Sequence, residues 1–483
     1  MEALDDVWAG DLLNRREEAE DLIGYLESVA SRAPIREDGH AHVVALDTSY
    51  GQGKTFFLRR LDRHLRATEH VSAFVDAWVD DLEDEPIVAL AATLDKALKP
   101  WAEDDAAVEA GLTQFKAKAG RVAKIVGVGL AKRGVGFLIT QGAAEALGDE
   151  LTKASEVDRD IRKDALKDGA AALVNDVSAR VVEPPAPSMD VRIAKFRDGQ
   201  QAIQDMKDSL SDVVAALVKA GMKLPITIIV DELDRCRPTY AIKVLEEIKH
   251  LFDVDGVAFV LGLHGRQLAH SVGAAYGVGF DGEAYLRRFF NKRYALKPSQ
   301  LRPLIAELIS RLRINPAMMD HMAVLRDGKG KAEILPPEEV IATYLAMYEL
   351  SARDAFSIME ALQTAMALVG KANVQLSYLI PLLITQYLGG DDLMLPKHDP
   401  SWKFYIMTDH FQQNYAEQSV KAGIEAIHHA AQLSDQKLSE VLNLNSQGFG
   451  VRIVVDYGFT DGSKEYKLLQ NYTKLVKTVR QFS

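Results

Sequence analysis

The sequence predicts an α/β fold in which a parallel sheet is covered by helices on both faces, and three observations predict it. The apolar runs His42-Val-Val-Ala-Leu46, Leu224-Pro-Ile-Thr-Ile-Ile-Val230 and Val257-Ala-Phe-Val-Leu-Gly262 are uninterrupted, as strands buried on both faces require. Stretches with helical spacing follow them, over residues 54–65 and 240–252. The first run also ends in a glycine-rich turn that passes directly into its helix.

Taken in order, residues 11–33 place Leu12, Leu13, Leu22, Ile23 and Leu26 at helical spacing, and a loop with Pro34 and Gly39 follows. After the first strand and helix, residues 71–78 read as a second strand and 86–98 as a helix. Residues 100–204 turn Ala/Lys/Glu/Asp-rich and read as a helical insertion, with Pro184-Pro185-Ala186-Pro187 as a stiff break. Beyond Tyr294 helices are expected over 303–313, 337–350 and 352–369. The second has a proline in its first turn, and the third has Ser351 as N-cap with Asp354 three residues on. Gly389-Gly390-Asp391-Asp392 and Pro396 mark a linker. The tail from Trp402 is expected to hold a long helix, one strand-like stretch at 451–457 and a basic helix at 466–480. The expected organisation is therefore a helical segment (1–35), a core (36–296), a helical lid (297–388) and a mostly helical C-terminal region (389–483).

The chain has 483 residues and a formal net charge of −12, which argues against wrapping nucleic acid with the whole surface but leaves a local basic patch open. Its one cysteine, Cys236, excludes an intrachain disulfide framework and fits a reducing cytoplasm. The acidic start, MEALDDVWAGDLL, lacks the pattern of a signal peptide. Residues 121–147 are the nearest approach to a membrane segment, but Lys132 and Arg133 split the uncharged runs 125–131 and 134–144, each too short to span a bilayer. A packed helix hairpin and a membrane-touching or partner-binding insertion both remain open for them.

The run Thr48-Ser49-Tyr50-Gly51-Gln52-Gly53-Lys54-Thr55-Phe56 lies between a strand and a helix, the setting of a phosphate-binding loop. A helix start offers unpaired N–H groups and the positive end of a dipole, and glycine lets the backbone curl so that those groups converge. Lys54 would reach the β- and γ-phosphates and the Thr55 hydroxyl would hold Mg2+. Thr48 stands where the usual pattern has glycine, and Gly51 compensates in part. The second element is Ile226-Thr-Ile-Ile-Val230-Asp231-Glu232, a buried strand ending in two acids. Tips of parallel strands neighbour one another, so Asp231 would sit beside the loop and serve the metal. Glu232, one residue further and so on the opposite side of the strand end, would polarise the attacking water, with Asp234 as the alternative base.

Asp231-Glu232-Leu233-Asp234-Arg235-Cys236 after an apolar strand resembles the signature of the KAP family of P-loop NTPases: two acids, a hydrophobe, then Asp-Arg. Phe74-Val-Asp-Ala-Trp78 with Pro86, residues 257–263 with Gln267-Leu268, and Tyr285-Leu-Arg-Arg-Phe-Phe290 resemble further family segments, and the resemblance stops near residue 390. It implies a three-layer P-loop fold, ATP as nucleotide and a conformational role, with bacterial defence against phages or mobile elements as a setting. Many members carry transmembrane helices where residues 100–204 lie here. The resemblance places His264 after the sensor strand, as a γ-phosphate sensor or a helix-capping histidine. It makes Arg287 and Arg288 candidates for a basic finger, or else for solvation or for pairing near Asp281–Glu283. Arg235 would brace the acids, and residues 11–16 would lie near the base.

His410, His428 and His429 have no metal-site spacing, and Lys464, Lys467, Lys474, Lys477 and Arg480 read as a solvated face or as a contact for nucleic acid, membrane or an acidic partner. The leading expectation is a Mg-dependent ATPase that works as a switch or assembly, as a homo-oligomer or with a protein partner bound through the insertion or the C-terminal region. A nucleotide-gated scaffold with little hydrolysis and a membrane-associated assembly are the alternatives.

Overall fold

The computed structural model describes residues 2–31, 42–82, 84–131, 189–326, 332–409, 414–433, 437 and 467–482. They fall into two compact units, one taking in residues 23–46 and 61–294, the other 2–22, 47–60 and 295–483. Most of the expected insertion, His410 and the 451–457 stretch lie outside the described residues.

The first unit is built on a five-stranded sheet of β1 (His42–Asp47), β2 (His70–Asp76), β3 (Lys223–Asp231), β4 (Val257–Leu263) and β5 (Lys292–Tyr294), in the order β2-β3-β4-β1-β5. The pairs β2/β3, β3/β4 and β1/β5 are parallel. Every residue of β4 is buried, as are Val43–Leu46 and Ile226–Asp231, which is why these runs do not alternate. In this order β4 stands between β1 and β3.

Helices α1 (Arg16–Ala30), α2 (Lys54–Ala67), α3 (Pro86–Asp104), α4 (Ala106–Ala131), α5 (Met189–Lys219), α6 (Pro238–Leu251), α7 (Gly265–Tyr276) and α8 (Gly282–Leu286) follow in chain order. α4 packs on both α3 and α5 through Leu94, Leu98, Leu112, Phe115, Met206 and Leu210. β2 ends two residues before the expected Trp78, because the Asp76 carboxylate accepts from the Val79 N–H at 3.3 Å and starts the short helix Ala77–Asp80. Among the described residues no helix is long and apolar enough to cross a membrane.

The second unit is mostly helical: α9 (Arg302–Arg311), α10 (Pro337–Met347), α11 (Ala352–Val369), α12 (Leu376–Tyr387), α13 (Val420–Ala431) and α14 (Lys467–Val479). Its core includes Tyr344, Ile358, Leu362, Leu379, Ile424 and Tyr472. Ser351 caps α11 in a full capping box with Asp354, as the sequence pattern implied. The tail differs from expectation. The strands Trp402–Asp409 and Asn414–Gln418 pair antiparallel, and the first also pairs with Val324–Arg326. Trp402 and Phe404 point into the core while Lys403 is exposed, a period of two that a helical reading of the tail passes over. α14 buries Leu469, Tyr472 and Val476 and exposes Lys474 and Lys477.

Candidate functional site

The loop between β1 and α2 belongs to the second unit and is shaped by its glycines. Gly51 and Gly53 both have φ +82°, a conformation side-chain-bearing residues rarely adopt. A Cβ on Gly51 would lie 2.2 Å from the Ser351 Oγ, so the site also excludes a side chain sterically. The Phe57 N–H donates to the Gly53 carbonyl at 2.9 Å, so the N–H groups before it have no acceptor inside the helix. Such groups, with the dipole behind them, attract anions. Lys54 and Thr55 occupy this first turn, half-buried, and the Lys54 Nζ lies 5.9 Å from the centroid of the exposed Tyr50 ring. Phe56 carries the Arg60 guanidinium 4.2 Å from its centroid, and Arg60 in turn donates to the carbonyls of Val7 and Ala9 at 2.7 and 2.9 Å. Thr48 is half-buried and Ser49 exposed.

Two contacts that sequence reasoning did not find fix this loop. The Arg353 N–H, in the first turn of α11, donates to the Gly51 carbonyl at 3.2 Å. Arg15, 1% exposed, donates to the Gln52 carbonyl at 3.2 Å, to the Lys297 carbonyl at 2.9 Å and to the Ser299 Oγ at 2.7 Å, and pairs with Glu18. Nothing in the residue pattern separates Arg15 from the charged residues around it. Burial raises the Asp354 carboxyl, but hydrogen bonds from Tyr387 and Ser351 outweigh that and hold it below the usual range, so the cap of α11 stays charged.

In the first unit, β3 ends at Asp231, 1% exposed, whose carboxylate accepts from the Glu232 N–H at 2.9 Å. Glu232 does not continue the strand. It has φ 60° and ψ 26°, a left-handed conformation uncommon outside glycine and often found at functional positions, so strand alternation does not set its direction as the sequence reading assumed. Its carboxylate pairs with Arg235 at 2.9 Å, the bracing role considered for that arginine. Asp234 is buried in the 3-10 turn Leu233–Arg235 that follows. The charge here is strongly negative. Burial, then the charges of Asp81, Asp234, Asp76 and Glu232, push the Cys236 thiol far up, leaving it neutral.

His264 is the N-cap of α7, its Nδ1 accepting from the Gln267 N–H at 3.2 Å, so the capping role is present. Arg287 and Arg288 close the α8 turn with exposed side chains, and the Arg288 carbonyl accepts from Lys249. His428 pairs with Tyr378 at 2.9 Å and Asp392 at 3.1 Å.

A parallel α/β sheet whose first strand leads through a glycine turn into a helix, and whose third strand ends at an acid with a second acid next, is the P-loop NTPase fold. The model of the KAP family P-loop domain matches residues 15–320, and the chain belongs to that family. No curated protein matches it. Among solved structures, that of the Aeropyrum pernix ORC2 protein in ADPNP–ADP complexes is 12% identical over 97% of this chain and 94% of that one, with a TM-score of 0.27.

Proposed function

We propose that the chain binds ATP with magnesium in the cytoplasm and hydrolyses it to drive a conformational switch or assembly. The observation that carries this reading is the glycine-shaped turn that leads into a helix start after β1, in a chain whose β3 ends at Asp231 with Glu232 next. Lys54 would neutralise charge on the β- and γ-phosphates, and the amides of the turn would orient them. Thr55 and Asp231 have the oxygen donors a magnesium ion needs, and the ion would supply further charge neutralisation on the phosphate oxygens. Glu232, or Asp234 in its place, would take the proton of the attacking water. Arg288 or Arg287, exposed, would stabilise transition-state charge as a finger, and His264 would sense the γ-phosphate if its cap opened.

The switch is supported within the second unit, where the Gly51 carbonyl is bonded to the start of α11. A shift of the loop on binding phosphate would pull on that helix. A setting in bacterial defence comes from the family resemblance alone. The test is magnesium-dependent phosphate release by the full chain. Lys54→Ala is expected to lower it by about a hundredfold or more, and turnover equal to wild type overturns the reading.

A further inference from the structure

Glu232 leaves the strand in a strained conformation, and its carboxylate is already engaged. Arg235, three residues on, meets Oε1 at 2.9 Å, and the Arg235 Cζ lies 5.3 Å from the centroid of the Trp78 ring. We propose that Arg235 and Trp78 are positioning residues that hold the Glu232 carboxylate in reserve, restraining basal hydrolysis until the segment bearing Trp78 moves. The inference rests on Glu232 being the group that activates water.

The restraint follows from what a base must do. A carboxylate that accepts a proton from water needs an oxygen lone pair turned toward that water. A guanidinium on Oε1 occupies one such direction, fixes the rotamer and must be displaced before the group can turn. The Glu232 and Arg235 side chains are only 15% and 32% exposed, so solvent screens this pair less than an open surface pair. The indole over the guanidinium adds a cation–π contact and keeps water from one face of it.

The segment that carries Trp78 has its own fastening. Its helix Ala77–Asp80 is capped by Asp76, which stands in register beside Asp231 on the neighbouring strand. Asp81 then accepts from Arg237 at the backbone N–H (2.8 Å) and at Nε (2.9 Å), and Asp84 accepts from the same guanidinium at 3.1 Å. Lys243 of α6 holds the Asp84 carbonyl at 2.6 Å and the Glu85 carboxylate at 3.0 Å. One side of this strap therefore grips Arg235 and the other is tied to the helix that follows the same turn. The Arg237–Asp84 pair is largely exposed and adds little, whereas Asp81, 11% exposed, and the Lys243–Glu85 pair, 18% and 21% exposed, hold the strap more firmly. Trp78 and Leu82 present apolar surface outward, where a partner could engage them.

Steady-state phosphate release with Mg-ATP on the full chain tests this, with thermal melts beside it. Arg235→Ala is expected to raise kcat about threefold or more with KM within about twofold, because the substrate contacts are untouched. Arg235→Lys, which keeps the charge, is expected to stay near wild type. Trp78→Ala is expected to raise kcat by a smaller factor, and it decides the matter if Arg235→Ala fails to fold. The double variant Arg235→Ala/Glu232→Gln is expected to lose the gain. A kcat at or below wild type in folded Arg235→Ala, or in Trp78→Ala if the former does not fold, overturns the proposal. That result is separable from failure of the ATPase reading, which shows as Lys54→Ala turning over like wild type.

Discussion

The turn after β1 and the turn after β3 meet similar demands by different means. The first is a backbone device: Gly51 and Gly53 at positive φ, helix-start amides, and carbonyls held by the Arg353 N–H and by buried Arg15. The second is a side-chain device: Asp231 and Asp234 buried, and Glu232 in a left-handed conformation, tied to Arg235 and, through it, to Trp78. A loop shaped by backbone sterics keeps its own curl, even where it shifts as a unit, and fails when a side chain is added. A turn held by ion pairs has alternatives of similar energy, so it can be adjusted. The rigid device sits where phosphates would be cradled and the adjustable one where chemistry would be timed.

The largest effect that would break this contrast is expected at Gly51. Gly51→Ala places a Cβ against Ser351 at φ +82°, and should cost about 2–4 kcal/mol of stability and about a hundredfold in kcat/KM. Denaturant melts and phosphate release check it, and a wild-type profile would mean that the turn is not sterically fixed.

The next effect sharpens the electrostatic side. Glu247 on α6 is 6% exposed, and burial raises its carboxyl to about 7, with Lys243 opposing and Glu85 and Glu246 adding to the rise. Because the folded value lies above the ordinary 4.5, the folded state holds this proton more tightly than the unfolded one. No cost arises below about pH 4.5. It grows as pH rises and is complete above about 7, at about 3 kcal/mol. Glu247→Gln should therefore melt higher than wild type at pH 8 and alike at pH 4.5. A constant difference across that range would contradict it.

The smallest effect belongs to the cap beside the loop. Ser351→Ala removes one half of the capping box and should cost about 1 kcal/mol, read from a denaturant midpoint at unchanged slope.

Much of this was legible because local chemistry dictated it. Val43–Leu46 and Ile226–Val230 are strands since continuous apolar runs must be buried on both faces, and Gly51-Gln52-Gly53-Lys54 curls since glycine readily takes a backbone that other residues rarely adopt. Ser351 with Asp354 announced a helix start in the same way. The strand order was not legible, because which strand stands between β1 and β3 is decided by packing over two hundred residues. Neither was Ser351 against Gly51, nor Arg15 on the Gln52 carbonyl, since contacts at long separation leave no periodicity. β5 is not legible because Lys292-Arg293-Tyr294 is short and polar, an edge strand rather than an apolar run. The turn at Glu232 is not legible either, for a left-handed glutamate has no sequence signal.

The most direct test of the account is the behaviour of Glu232→Gln with Mg-ATP, followed by isothermal titration and by phosphate release on one preparation. The account predicts nucleotide binding within about threefold of wild type and turnover lower by about a hundredfold or more. Turnover matching wild type, or loss of binding together with turnover, would contradict the assignment of phosphate recognition to the loop after β1 and of water activation to the turn after β3.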